Sequence, residues 1–179
     1  MGERHELHDH ARAAHQWYGK VRWWEAATLE LYHDNISVCA QKVRLVLAEK
    51  GTKATEHHLS LRDGDQQQPD YVKLNPKAVV PTLVHDGVVV TESTIIAEYL
   101  DEVFPEPKLS PAEAAGRAHM RAWTKRPDER IHAACATVSN GIAFRHQWLA
   151  RGADELERIM QRTPDPERRA RRRKMVDNG

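Results

Sequence analysis

Residues 74–93, LNPKAVVPTLVHDGVVVTES, constrain the fold more than any other stretch, because they set a proline at the mouth of a strand whose neighbours are apolar. Pro81 has no N–H to give to a sheet, so something other than a neighbouring strand is expected to meet the backbone there. Val79 and Val80 precede it, residues 82–84 resume a β-type run, and Asp86-Gly87 is a two-residue hairpin signal before the valines at 88–90. Thr91-Glu92-Ser93-Thr94 then opens a helix. A proline-led hairpin that runs into a capped helix suits an extended, peptide-like ligand lying along an exposed strand edge. An edge strand that uses proline against aggregation is the plainer reading of the same residues.

Upstream, Leu29-Glu30-Leu31-Tyr32 alternates as a short strand that ends at Asp34-Asn35. A helix is expected over residues 37–50, with Val38, Val43, Leu45, Val46 and Leu47 as its apolar positions and Gly51 as its stop. Residues 54–59 read as a second strand. The turn Arg62-Asp63-Gly64-Asp65 leads into a short helical segment ending near Leu74-Asn75-Pro76. After the hairpin, a helix over 94–103 carries Ile95, Ile96, Tyr99 and Leu100 on one side. This order predicts an α/β domain over residues 29–105, with helices against a mixed sheet.

Strand alternation is absent from the sequence after Pro105. Ser110-Pro111-Ala112-Glu113 has the form of a capping box, which predicts a helix from Ser110 through Trp123. Pro127 is expected to kink or break it near Lys125. Further helices are expected over 131–149 and 154–161, and from Pro164-Asp165-Pro166 onward. Residues 106–179 therefore read as an all-helical domain, and as a partial, truncated one, because the chain stops on a charged helix. Residues 1–28 read as an N-terminal extension, helical or disordered, with Leu7, Ala11, Ala14, Tyr18, Val21 and Trp24 near helical spacing. His5, His8, Asp9 and His10 within it suggest a metal only superficially. Nothing around them supplies a second shell, so a polar tail is the expectation and no metal site is assigned.

A formal net charge of +1 provides no global field toward nucleic acid or acidic membranes, so neither is expected as a partner. The run Arg168-Arg169-Ala170-Arg171-Arg172-Arg173-Lys174 lacks an aromatic platform and reads as a solvated helix face. No stretch approaches the roughly 18 apolar residues of a membrane span, and no secretory leader is evident, so a cytoplasmic location is expected. Cys39 and Cys135 are too few for a disulfide framework.

Two places carry residues suited to chemistry. Ser37 and Cys39 fall where the first strand hands over to the first helix, and unpaired N–H groups at a helix start favour negative charge. A free thiol of pKa about 8.5 is only about 3% ionised at pH 7, and a downward shift of two units, roughly 2.7 kcal/mol, would make it mostly thiolate. The plainer alternative is that Ser37 caps the helix and Cys39 is a small buried residue. The absence of a C-x-x-C around Cys39 disfavours a dithiol oxidoreductase. Glu92 and Ser93 begin the second helix, where N–H groups and a hydroxyl suit a carboxylate and Glu92 suits an ammonium. Together they would take an amino-acid-like zwitterion, or serve as ordinary capping residues.

The order of a tyrosine strand, Ser37-x-Cys39, Lys42-Val43-Arg44, Glu49-Lys50-Gly51, Asn75-Pro76, Val80-Pro81-Thr82-Leu83 and Glu92-Ser93 resembles the thioredoxin-like half of cytosolic glutathione transferases over about residues 29–105. The S-x-C pattern is most similar to the serine-type zeta and theta classes, near maleylacetoacetate isomerase and the reductive dehalogenase of chlorinated hydroquinones. The resemblance implies a cis Pro81 and a Val80 backbone that pairs with the cysteinyl residue of glutathione. It implies that Glu92 and Ser93 hold the γ-glutamyl end, and that Gln66 and Lys77 contact the rest of the tripeptide. Ser37 matches the activating serine, and Cys39 matches the dehalogenase cysteine that exchanges with a glutathione conjugate.

The implied activity is a glutathione-dependent transfer to a hydrophobic electrophile, with glutathione as co-substrate, no metal, and a homodimeric assembly. A reductive dehalogenase or isomerase using Cys39 is the alternative within the enzymes. A non-catalytic glutathione-transferase-like binding module, or an inactive fragment, is the alternative outside them. Three departures from the family pattern stand out: Ala78 where many relatives have glycine, Val38 in place of a second serine, and Pro127 within the long helix that lines the second-substrate pocket.

Overall fold

The computed structural model describes residues 28–178, so the N-terminal extension and its His5, His8, Asp9 and His10 cluster lie outside the described residues. From Leu29 the expected α/β order is present. It comprises β1 (Leu29–His33), α1 (Val38–Glu49), β2 (Thr55–His58), a 3-10 turn (Asp65–Gln67), α2 (Pro69–Leu74), β3 (Thr82–His85), β4 (Val88–Thr91) and α3 (Ser93–Val103). The four-stranded sheet has the order β2-β1-β3-β4. β1 and β2 are parallel, while β3 is antiparallel to both β1 and β4.

Register decides what this sheet can bring together. Tyr32 lies opposite Thr82, and Thr82 lies opposite Thr91, so one row of residues crosses three strands. The chain leaves this row toward Ser37 from β1, arrives at it from Pro81 into β3, and leaves it toward Glu92 from β4. Segments far apart in sequence thus share one end of the sheet.

α1 and α3 bury their apolar stripes against the sheet in a core of Leu29, Leu31, Val43, Leu47, Leu83, Ile96 and Leu100. Burying each such side chain stabilises the fold by about 1.5–3 kcal/mol. The stripe of α1 is narrower than expected: Ala40, Val43 and Leu47 are buried, whereas Val38 and Leu45 face outward, as does Ile95 of α3. The inward positions are those spaced three and four apart, which a 3.6-residue period selects.

The helical region departs from its sequence reading in three ways. First, α4 (Ala114–Arg126) begins four residues after Ser110, so the capping box does not form. The backbone N–H groups of Leu109 and Ser110 are donated instead to Asp101 of α3. Pro111 folds back so closely that a Cβ on Gly116 would lie 2.7 Å from the Pro111 Cβ. Second, Pro127 does not break the helix. Its backbone stays helical, and the chain widens into a π turn over Pro127–Ile131, which accommodates the missing N–H. The path continues through α5 (His132–Val138), a second π turn (Ser139–Phe144) and α6 (Arg145–Leu149). Third, the basic run is not simply a solvated face. It lies on α8 (Pro166–Asn178), which packs with α7 (Ala153–Gln161) around Leu156, Met160 and Val176, against Trp148. Arg172 stacks over the Trp148 ring at 4.8 Å, and Arg168 reaches the α/β domain.

Candidate functional site

At the end of β1, Asp34 organises the loop that delivers Ser37. Its buried carboxylate accepts the N–H of Ile36 at 3.0 Å and that of Leu61 at 2.8 Å, tying this loop to the one after β2. Ser37 has extended backbone and caps α1: its Oγ accepts the Ala40 N–H at 3.2 Å. A serine hydroxyl that accepts through a lone pair still has its own O–H to donate. Ser37 is therefore a helix cap with a spare donor at the positive end of a helix dipole. Cys39 lies two residues on, half-buried, in the first turn of the same helix, and Cys39 and Cys135 are both free thiols.

The Val80-Pro81 peptide is cis, and the loop before it is held from behind. The Tyr71 hydroxyl donates to the Val79 carbonyl at 2.6 Å, and Asn75 Nδ2 donates to the same oxygen at 2.9 Å. Asn75 Nδ2 also meets Thr82 Oγ1 at 3.1 Å, and Thr82 Oγ1 lies 2.8 Å from the Tyr71 hydroxyl. Each proton has an acceptor if Thr82 donates to Tyr71 and Tyr71 donates to Val79. Burial pushes the Tyr71 phenol up from its ordinary value, which keeps that proton in place. With Val79 committed inward, the N–H and C=O of Val80 are bonded to no other described residue. They form a free strand edge of the kind an extended ligand backbone pairs with.

Glu92 completes the row at the end of β4. Its φ of 69° and ψ of 112° place a non-glycine residue outside the ordinary regions, a strain of roughly 1–3 kcal/mol that tends to gather at ligand sites. Ser93 follows as the first, buried residue of α3. Lys77 reaches across to Glu92 at 2.6 Å, and this partner raises the lysine above its usual value. Gln66 is buried in the 3-10 turn with its Oε1 unpartnered among the described residues, an acceptor without a donor.

Ser37, Val80-Pro81 and Glu92-Ser93 thus gather at one end of the sheet, with Cys39 in the turn behind Ser37. Lys77 joins them through Glu92, while Gln66 sits in the neighbouring 3-10 turn. Tyr71 escaped the sequence reading, and Asn75 and Thr82 entered it only as parts of motifs and of a strand. Their signal was the spacing of Tyr71, Asn75 and Thr82 around the cis proline, which becomes meaningful once the loop is known to fold back. Among the described residues, no group of His, Cys, Asp or Glu side chains is arranged to hold a metal ion. No helix among them is long and apolar enough to cross a membrane.

Residues 36–103 match the family model described as Glutathione S-transferase, N-terminal domain. The protein LigF of Sphingobium sp. (strain NBRC 103272 / SYK-6) is 37% identical over 152 residues, covering 82% of this chain and 58% of LigF. The crystal structure of that protein, described as a beta-etherase, superimposes with a TM-score of 0.79 at 34% identity over 85% of this chain and 64% of the other. Glutathione S-transferase Z1 of Arabidopsis thaliana is 43% identical over 90 residues, half of this chain and 41% of the plant protein. A bacterial zeta-class maleyl pyruvate isomerase structure matches at 31% identity with a TM-score of 0.55, over 58% of this chain and 49% of the other. The chain spans between two fifths and three fifths of the length of these curated relatives. The family match, with the mixed sheet, the cis-proline loop and the serine-capped first helix, shows that residues 36–103 form a glutathione S-transferase N-terminal domain.

Proposed function

We propose that the chain binds reduced glutathione along the Val80 edge and uses Ser37 to hold its sulfur as a thiolate for attack on an electrophilic carbon. The observation that carries this reading is the free donor of Ser37 at the same end of the sheet as the unpaired Val80 backbone. Strand-like pairing of the cysteinyl residue with Val80 orients the thiol toward the start of α1, so proximity supplies part of the rate. Glu92 suits the ammonium of the γ-glutamyl group, and the buried Ser93 with the N-terminus of α3 suits its carboxylate. Gln66 and Lys77 would meet the remainder of the tripeptide.

In the reaction, the thiol proton leaves to solvent, sulfur forms a bond to carbon, and the leaving group departs with the electron pair. A hydrogen bond to an anion contributes about 1.5–3 kcal/mol, which lowers a thiol pKa by roughly one to two units. The likeness to a beta-etherase makes ethers the first electrophiles to test, and aryl ethers foremost. A phenoxide, with a conjugate acid near pKa 10, leaves far more readily than an alkoxide.

The test is Ser37→Ala, followed by the pH dependence of thiolate absorbance in the glutathione complex. The bound thiol pKa is expected to rise by one to two units and kcat/KM at pH 7 to fall about 10–100-fold, with glutathione affinity held within a few-fold. Unchanged turnover and an unchanged thiol pKa would remove Ser37 from this role. The half-buried position of Cys39 in the same first turn favours one second reading, thiol exchange with a glutathione conjugate. That reading fails if Cys39→Ala retains full turnover on every substrate the wild type accepts.

A further inference from the structure

Arg168 stands in α8, some ninety positions from the cis-proline loop, yet its guanidinium is spent on that loop. Its Nη1 donates to the Lys77 carbonyl at 3.0 Å, and Nη1 and Nη2 both lie 3.4 Å from the Ala78 carbonyl. No ion pair joins Arg168 to a carboxylate within 4 Å among the described residues. Burial holds its guanidinium below the usual arginine value, with Asp165 nearby opposing that shift and Arg171 adding to it. A half-buried cation facing two carbonyls is a costly arrangement for a surface helix to adopt without a return.

The return lies in where those carbonyls sit. Lys77 and Ala78 are the residues immediately before Val79, whose own carbonyl is held from the opposite side by Tyr71 and Asn75. Ala78 has a φ of 50°, a left-handed conformation that an L side chain resists by about 1–2 kcal/mol. Asn75 contributes its Oδ1 to the Lys77 N–H at 3.1 Å, and its backbone carbonyl to the Ala78 N–H at 2.9 Å. Arg168 supplies the remaining grip, on the carbonyl side. A second contact runs parallel to it: Gln67, beside Gln66 in the 3-10 turn, donates Nε2 to Thr163 Oγ1 at 3.0 Å. Thr163 is fully buried and is held in turn by Arg169 and Arg172.

We infer that Arg168 is a positioning residue for the tripeptide site: the helical region fixes the left-handed turn at Ala78 through it, and so sets the direction in which Val80 presents its backbone. The inference rests on the glutathione reading above, since Val80 needs an extended ligand for its direction to matter. Arg168 acts through the Lys77 and Ala78 carbonyls, and so through the loop backbone. Its effect falls on the thiol-bearing substrate and spares the electrophile.

The experiment compares wild type, Arg168→Gln and Arg168→Lys by calorimetric titration with reduced glutathione, thermal melting, and steady-state kinetics in which glutathione and an aryl electrophile are varied separately. Arg168→Gln is expected to raise the Kd and KM for glutathione at least tenfold, with kcat and the KM for the electrophile within about threefold. Lysine, which keeps the charge and reaches one carbonyl, is expected to restore part of the loss. Hydrogen exchange should show faster amides at residues 77–80 in Arg168→Gln while the core strands stay protected. Glutathione affinity equal to wild type in the glutamine variant, whatever its melting point, overturns the inference. Should that variant fail to fold, Arg168→Lys decides, because a wild-type glutathione KM in it overturns the inference equally. Wild type that does not bind glutathione at all refutes the parent reading and this inference with it, whereas binding by wild type with unaltered variants refutes only the inference.

Discussion

Replacing Asp101 with asparagine should destabilise the protein far more than one polar substitution ordinarily does. The Asp101 carboxylate is buried and accepts from the buried Lys50 ammonium, from the Leu109 N–H at 2.8 Å and from the Ser110 N–H at 3.0 Å. Lys50 also donates to the Pro107 carbonyl at 2.6 Å. Asparagine would remove the charge that balances Lys50 and turn an NH2 toward two donors or toward the lysine. Breaking a buried pair by removing one partner costs about 3–5 kcal/mol. At roughly 2–4 °C per kcal/mol for a chain of this size, the melting point should fall by about 6–20 °C. Urea unfolding should show a lower midpoint at an unchanged slope. The pH dependence gives a second check. Burial alone would push the Asp101 carboxyl up, but the hydrogen bonds from Lys50, Ser110 and Leu109 prevail and hold it well below the usual carboxylate range. A depressed folded pKa gives stability that is fully present above the unfolded value, about 3.9, and is lost as pH falls below it toward the folded one. The gap between wild type and Asp101→Asn should therefore be constant from pH 5 to 7 and narrow below about pH 4. The paired variant Lys50→Met with Asp101→Leu should recover part of the loss, because it removes both charges together but leaves the Leu109 and Ser110 N–H groups and the Pro107 carbonyl without these partners. A loss under about 1 kcal/mol in the single variant, or a paired variant no better than the single one, would refute the reasoning.

Other perturbations follow from the site. Tyr71→Phe leaves the Val79 carbonyl with Asn75 alone and should cost about 1–3 kcal/mol by urea unfolding, with a weaker glutathione complex by calorimetry. Gly64→Ala should cost about 1–2 kcal/mol in the same assay, since Gly64 has a φ of 83° and its new Cβ would meet Gln67 Oε1 at 3.2 Å. His33 is buried and its pKa is lowered by that burial, with Glu56 opposing, so its contribution is lost as pH falls below the unfolded value near 6.5 toward the folded one. His33→Phe should flatten that part of the melting-point profile, and an unaltered profile would exclude His33 as its source.

The α/β half was legible because its signals are local and agree with one another. Alternation at Leu29-Glu30-Leu31-Tyr32, the Asp86-Gly87 turn and the Ser37 cap each specify their own structure within a few residues. The capping box at Ser110 failed for the opposite reason. Its residues are right, but the Ser110 N–H is claimed by Asp101, a tertiary partner that no window around Ser110 contains. Pro127 misled similarly, because a helix can lose one N–H by widening and need not stop. The arginine run looked like a solvated face because charge alone does not reveal whether a guanidinium has carbonyls to meet. The residues holding the cis-proline loop come from α2, the strand after the loop and α8, so only the fold could assemble them.

Pro127 also changes how the helical region should be viewed. By opening a wide turn, it delivers Asp128 onto the start of α3, where Thr94 Oγ1 donates to Asp128 Oδ2 at 2.6 Å. Lys42 of α1 bonds both Thr94, at 2.6 Å, and Asp128, at 3.3 Å. Thr94 follows Ser93 directly, so this cluster borders the γ-glutamyl end of the proposed site, as Arg168 borders the Val80 end. A helical region that touches the tripeptide site at both ends can alter the presentation of the thiol without contacting it. Substitution of Asp128 by alanine should then shift glutathione affinity more than stability. The cluster is half-exposed, and an ion pair of that kind contributes only about 0–1 kcal/mol to folding. Titration calorimetry beside thermal melting separates the two, and a melting shift without an affinity shift would return Pro127 to the status of an ordinary irregularity in a long helix.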